Sequence, residues 1–318
     1  MHIVVTGGNG MVGNCIKDIV YLYPNHQFTF TNRNHMELTN YLSVLQYFES
    51  NKFDYIIHLA ADVGGLYKNL NQNYEMLENN LLINLNILNA CKKYNINRGV
   101  FILSSCIYPN NPKQFPMEES IIHNGPPHFS NEGYAYAKRI LEIQCRLINK
   151  SNKTEYFCLT PVNLYGPYDN FNVDNGHFIS SILHRFYLSK LVGKSCVAYG
   201  TGKPLRQFLY APDFAKIICN ILFYLPYDEC NQNIIICDDN EYTIKNVIDK
   251  IKSLMKIEKI NWDSTASDGC MKKTVSNKKF KNLTRKYEKI WDWNWKPLDD
   301  GLKESHNWLI NNYKIARK

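Results

Sequence analysis

MHIVVTGGNGMVG, residues 1–13, is the stretch on which the fold of this chain turns. His2 to Val5 is a short apolar run of the kind buried on both faces of a sheet, and it enters Thr6-Gly7-Gly8-Asn9-Gly10 with no linker. An amphipathic helix is predicted from Met11 through Val20. Strand, glycine turn and helix in that order open a doubly wound parallel sheet with helices on both faces. Gly7 permits the tight turn, Gly10 lets a pyrophosphate approach the backbone, and Gly13 lets the helix pack closely. The helix N-terminus, with Asn9, Met11 and Val12 between the glycines, is the candidate phosphate cradle. Its spacing is G-x-x-G-x-x-G, not the G-x-G-x-x-G of ordinary dehydrogenases.

The next strand, Gln27 to Thr31, ends in Asn32-Arg33. A carboxylate there would grip a ribose 2′-hydroxyl and select NAD, whereas Arg33 offers its charge to a 2′-phosphate and favours NADP(H). A surface arginine in a loop is the other reading. Tyr55 to Leu59 forms another buried strand, and Leu59, Ala60 and Ala61 at its end are apolar or small enough to let a cofactor lie close. Val100 to Leu103 is a further strand, which places Ser104, Ser105 and Cys106 at its carboxyl end, where ligands bind in such sheets. Tyr134 and Lys138 stand one helical turn apart on one face. An ammonium beside a phenol is expected to lower its pKa, so that Tyr134 exchanges a proton with a sugar oxygen held by Ser104.

Composition narrows the class. With 318 residues, 45% of them hydrophobic, the chain can bury a nucleotide-binding core carrying a smaller appendage. The formal charge of +8 arises from 37 basic and 29 acidic residues without any nucleic-acid motif, which favours an anionic small substrate over nucleic acid. The 10 cysteines show no metal-ligand spacing or disulfide framework, so no metal is expected and a reducing cytoplasm fits. Neither a leader peptide nor a run of ~18 apolar residues is visible, so no membrane association is expected. The pattern of alternating strands and helices runs to about Val162. Residues 1–162 are expected to form the nucleotide domain, with segments at about 205–240 returning to it and 163–318 mainly binding substrate. Trp291 to Pro297 (WDWNWKP) is expected to pack locally before a final helix.

Three elements, the glycine turn, Ser104 to Pro109 (SSCIYP) and Tyr134-x-x-x-Lys138, resemble the extended short-chain dehydrogenase/reductase family in order from end to end. Within it the chain is similar to the 3,5-epimerase/4-reductases of GDP-4-keto-6-deoxy-D-mannose. That similarity rests on His58 to Leu66 (HLAADVGGL), His123 to Arg139 (HNGPPHFSNEGYAYAKR), Pro161 to Phe171 (PVNLYGPYDNF), Gly176-His177 and Gly200 to Tyr210 (GTGKPLRQFLY). The resemblance implies hydride chemistry at Ser104, Tyr134 and Lys138, with Cys106 as the base and His177 as the acid of epimerisation. It implies cofactor contacts at Pro161, Asn163, Leu164 and His177 as well as at the turn, at Tyr134 and at Lys138. Substrate contacts are implied at Asn163, Arg185, Tyr199, Arg206 and Lys273, the last in Asp268-Gly-Cys-Met-Lys-Lys273. Two departures stand out: Tyr199 where the family often carries tryptophan, and Asn9 where some relatives place an arginine. A homodimer through the helices at Met76 to Cys91 and Tyr134 to Asn149 is implied too. Alternatives are a 4-epimerase or 4,6-dehydratase of the same fold, or a cofactor-binding regulator without turnover. A dehydratase would carry an acid pair where Ser105-Cys106 stands, and a regulator would show damage in the Ser104, Tyr134, Lys138 set.

Overall fold

Apolar runs too short for helices alternate with amphipathic stretches through the first half, and the computed structural model, which describes residues 1–228, 233–266, 268–287 and 294–318, folds them accordingly. In chain order these are β1 (His2–Thr6), α1 (Met11–Lys17), β2 (Gln27–Phe30), α2 (Tyr41–Ser50), β3 (Tyr55–His58), α3 (Leu66–Asn71), α4 (Asn73–Lys93), β4 (Arg98–Ile102), α5 (Glu132–Asn152) and β5 (Glu155–Pro161). The second half adds β6 (Asn163–Tyr165), α6 (Phe178–Leu191), β7 (Cys196–Tyr199), β8 (Leu205–Arg206), β9 (Phe208–Tyr210), α7 (Ala211–Tyr224) and β10 (Asn233–Ile236). It ends with β11 (Tyr242–Thr243), α8 (Ile244–Leu254), β12 (Ile260–Asp263), β13 (Lys272–Lys273), α9 (Lys278–Lys286) and α10 (Leu298–Asn311).

Six strands form one parallel sheet in the order β10-β5-β4-β3-β1-β2. The order reverses between β1 and β3, so the carboxyl ends of these neighbouring strands, with β4 beside them, open a crevice. This is a Rossmann-like doubly wound α/β fold. α1 stops at Lys17, short of the predicted Val20: Pro24 disfavours helical backbone at Tyr23, and one tight turn at Val20–Leu22 reverses the chain toward β2. α5 ends where Lys153 takes up a left-handed conformation at φ 53°.

Two apolar cores lie either side of the crevice. One gathers the six-stranded sheet with α1, α5 and α7, and the other gathers Phe171, Leu183, Phe186, Ile251 and Leu302. The chain crosses between them repeatedly. β8 pairs with β11 and β13 in a small sheet, away from the six strands, so the return begins at Leu209 of β9 and continues through α7 and β10. A second return brings Val275 and Phe280 and Leu283 of α9 back to the first core, because α9 packs its one apolar stripe on β10. Of the tryptophans in WDWNWKP, Trp291 and Trp293 lie outside the described residues, while Trp295 packs 5.8 Å from the Phe280 ring. Among the described residues no helix is long and apolar enough to cross a membrane.

Candidate active site

β1 delivers Gly7 at φ +69°, where a Cβ would lie 2.9 Å from the Ala60 nitrogen, so the turn rests directly on the end of β3. A Cβ on Gly13 would come within 2.8 Å of the Gly7 oxygen, so α1 is seated on the turn itself. At Gly10, the N-cap of α1, a Cβ would meet only the Gly7 oxygen at 3.1 Å, and no side chain bonds the first-turn amides. The result is a bare backbone crest at Gly10, Met11 and Val12, floored by Leu59, Ala60 and Ala61, and it fits a dinucleotide pyrophosphate. At its rim Arg33 is exposed beyond β2. Lys17 donates to Asn9 Oδ1 at 3.2 Å and to Asn14 Oδ1 at 3.1 Å, so a cation stands at the position where Asn9 itself carries no charge.

At the end of β4, Ser104 Oγ accepts from the Cys106 amide at 3.3 Å and caps a single 3-10 turn, Ser105–Ile107, which buries Cys106. Arg139 closes that turn by donating to the Ile107 carbonyl at 2.5 Å. Lys138, one position earlier on α5, is 2% exposed and donates to the Ile102 carbonyl at 2.8 Å. Burial pushes its pKa down to about 8, against the opposing pull of Cys106. The expectation for Tyr134 needs correcting. Lys138 Nζ sits 5.8 Å from the centre of the tyrosine ring and not on its hydroxyl, and burial, followed by Cys106 and Asp62, pushes the phenol pKa up. The bare protein therefore holds Tyr134 firmly protonated, as an acid rather than a phenolate.

Across the crevice the second core carries a cleft of about 400 Å³ whose walls include Asn163, His177, Arg185, Tyr199, Arg206 and Lys273. β8 and β13 are parallel neighbours in which Lys273 pairs with Arg206, so two cations lie side by side. Burial lowers the pKa of both, and Arg206 depresses Lys273 further. Paired cations in a partly desolvated cleft are an anion site. Arg206 is aimed by its bonds to the Leu205 carbonyl (2.8 Å) and the Cys270 carbonyl (2.6 Å). Arg185 lies 4.6 Å from the centre of the Tyr199 ring and donates to the Val173 carbonyl at 3.0 Å. Asn163 donates to the Gln207 carbonyl at 2.8 Å, Leu164 pairs with Leu209 beside it, and Pro161 is buried in β5 opposite Ile236. Ser104, Cys106, Tyr134 and Lys138 do not line this cleft; they adjoin it through Lys273, whose ammonium interacts with Cys106.

Residues 3–231 match the NAD dependent epimerase/dehydratase family. The chain belongs to that family. Curated members similar to it include the GDP-L-fucose synthase of Dictyostelium discoideum, 38% identical over 99% of this chain and 97% of that protein. The probable GDP-L-fucose synthase of Drosophila melanogaster is 33% identical over 99% of each. Among solved structures, a GDP-L-fucose synthetase from Naegleria fowleri bound to NADP superposes with a TM-score of 0.89 at 33% identity, covering 100% of this chain and 96% of that one.

Within this epimerase/dehydratase framework four contributors went unread in the sequence. Arg139 fastens the Cys106 turn, Asp62 acts on Tyr134, and His128 lines the cleft with its pKa lowered by burial and by Lys273 and Arg206. Asp169 stands 3.5 Å from His177 Nδ1. All four fall inside family-matching segments, so position within HNGPPHF, AYAKR, HLAAD and GPYDNF was the signal available.

Proposed function

We propose that this chain carries out the GDP-L-fucose synthase reaction: NADPH-dependent conversion of GDP-4-keto-6-deoxy-D-mannose to GDP-L-fucose by inversion at C3 and C5 and reduction at C4. The observation that carries it is the pairing of Arg206 with Lys273 in the cleft, two neighbouring cations suited to a diphosphate and within electrostatic reach of a thiol that is two residues from Ser104. The resemblance to GDP-L-fucose synthases over nearly the whole length supports the same reading.

In this reading the diphosphate lies on Arg206 and Lys273, with Arg185 and Tyr199 beyond them and Asn163 toward the sugar. The 4-keto group acidifies the C3 and C5 protons. Cys106, as thiolate, removes each from one face; His177, as imidazolium, returns a proton to the other face; both groups then reset by exchange with solvent. Ser104 and Tyr134 hold the keto oxygen by hydrogen bonds through each enolate. Gly7, Gly10 and Gly13 with Asn9, Met11, Val12, Arg33, Leu59, Ala60 and Ala61 would hold NADP(H), and Pro161, Leu164 and His177 would border its nicotinamide end. When bound, NADPH supplies a hydride to C4. Tyr134 gives its proton to the C4 oxygen, and Lys138 supports it. Residues 1–162 with the returning segments form the cofactor half, and 163–318 mainly the substrate half. A cytoplasmic homodimer joined through α4 and α5 completes the proposal.

Purified protein is expected to oxidise NADPH, followed by absorbance, only when given GDP-4-keto-6-deoxy-D-mannose. No loss of absorbance with that substrate sinks the reading. Cys106→Ser is expected to slow deuterium uptake at C3 and C5 from deuterated water by about 10²-fold or more. Uptake at the normal rate would remove Cys106 from the role of base.

A further inference from the structure

His177 is the N-cap of α6, with its side chain making no capping bond. Three influences oppose a cation there. The ring is half-exposed at the mouth of the cleft, so the protein around it disfavours the imidazolium only in part; the guanidinium of Arg317 repels it, and the positive end of the α6 dipole does the same. One group works the other way. Asp169, in the loop after β6, is 2% exposed and holds Oδ1 3.5 Å from His177 Nδ1. That carboxylate is fixed from both sides: Ser180 of α6 donates to Oδ2, and the Asn170 amide donates to Oδ1 at 2.7 Å. Cys15 of α1 is a further titratable group close enough to feel its charge. The loop is in turn pinned by the C-terminal segment, where Arg317 donates to the Tyr168 carbonyl at 2.8 Å and the Phe171 amide donates to the Arg317 carbonyl at 2.8 Å.

We propose that Asp169 is the positioning residue for His177: its buried, doubly anchored carboxylate holds the imidazolium form and engages Nδ1, leaving Nε2 for the cleft. The proposal rests on the acid role of His177 given above. At 3.5 Å the contact is a long hydrogen bond reinforced by charge, and the net direction of the His177 pKa is upward despite the three opposing influences. A group that must arrive protonated at neutral pH gains from that, because a free imidazole would already be largely neutral there. Protonation of the enolate carbon breaks the Nε2–H bond and forms the C–H bond, leaving neutral imidazole. The same carboxylate then favours recovery of a proton from solvent.

NMR titration of the histidine side chains, with the His177 signal identified by its loss in His177→Gln, reads the contact without turnover. In the wild-type protein His177 is expected to titrate above a free imidazole, and in Asp169→Asn lower by about one pH unit or more. Deuterium incorporation as a function of pH supplies the second reading. The inversion that needs His177 should fall as pH rises through its pKa, and Asp169→Asn should shift that fall to lower pH, the two proteins converging in acid. A wild-type His177 titrating at or below the free imidazole value overturns the proposal even if the variant fails to fold. So does an unchanged titration in Asp169→Asn, or a rate lowered equally at every pH. Unaltered inversion at both carbons in His177→Gln would instead overturn the acid role itself, and with it the catalytic part of the proposal.

Discussion

Lys138 is the residue whose chemistry depends most on its burial. Its ammonium is enclosed, bonded to the Ile102 carbonyl and held near Tyr134, with a pKa of about 8. The supporting charge is present below that value and lost above it, so kcat/KM for the reduction is expected to decline as pH rises through about 8. Lys138→Arg, which stays charged, should lack that decline whatever its absolute rate. Stability runs the opposite way. The unfolded lysine keeps its proton to higher pH than the folded one, so between about 8 and the ordinary lysine value of 10.5 the folded state should gain stability with pH. Denaturant titration of the wild type and of Lys138→Met across that window would show the gain in the first and not in the second. The types and spacing of Ser104, Cys106, Tyr134 and Lys138 are legible in the sequence, since they lie within two short segments. The protonation state of Tyr134 is not, because burial depends on what packs around it.

At the scale of elements, α4 and α5 pack along each other, and the Asn73 side chain accepts from the Gly133 amide at 2.6 Å to start α5. A Cβ at Gly133 would collide with the Asn73 carbonyl oxygen. Gly133→Ala is therefore expected to destabilise by about 1–3 kcal/mol despite alanine's better helix propensity, and to displace the Tyr134 and Lys138 turn that follows. Thermal unfolding with an activity assay would register both; a more stable, fully active variant would contradict it. Strand and helix identities were readable from periodicity, including the helix that carries Tyr134. The early stop of α1 at Lys17 was not, because the aromatic run before Pro24 continues the helical pattern while the chain must turn to reach β2.

At the scale of the whole molecule, Gln207 joins the two halves. It is 2% exposed; its Nε2 donates to the carbonyls of Val275 (3.1 Å) and Asp238 (3.0 Å), and its Oε1 accepts from the Val275 amide at 2.8 Å. Gln207→Leu strands those buried groups and is expected to cost about 1–3 kcal/mol, measured by chemical denaturation. α4 and α5 also leave Leu85 (44% exposed) and Leu147 (54%) uncovered in the single chain. If these helices form the proposed dimer, light scattering should give twice the chain mass, and Leu147→Glu should reduce it toward the monomer. A wild-type monomer at assay concentration would refute the dimer.

The sequence alone determined the nucleotide-type turn, the candidate reacting residues and the family, because each is written in a contiguous motif whose backbone demands are local: a left-handed Gly7, a strand running into Ser104, a helical turn from Tyr134 to Lys138. Only the tertiary structure decided the site as a whole. Lys273 meets Arg206 through strand register, Lys17 reaches Asn9 across α1, Asp169 is buried against His177, and α9 returns to the first core. None of these contacts follows from a local backbone pattern. Which cations adjoin, and which acid is held charged, followed from how the two cores close on one crevice.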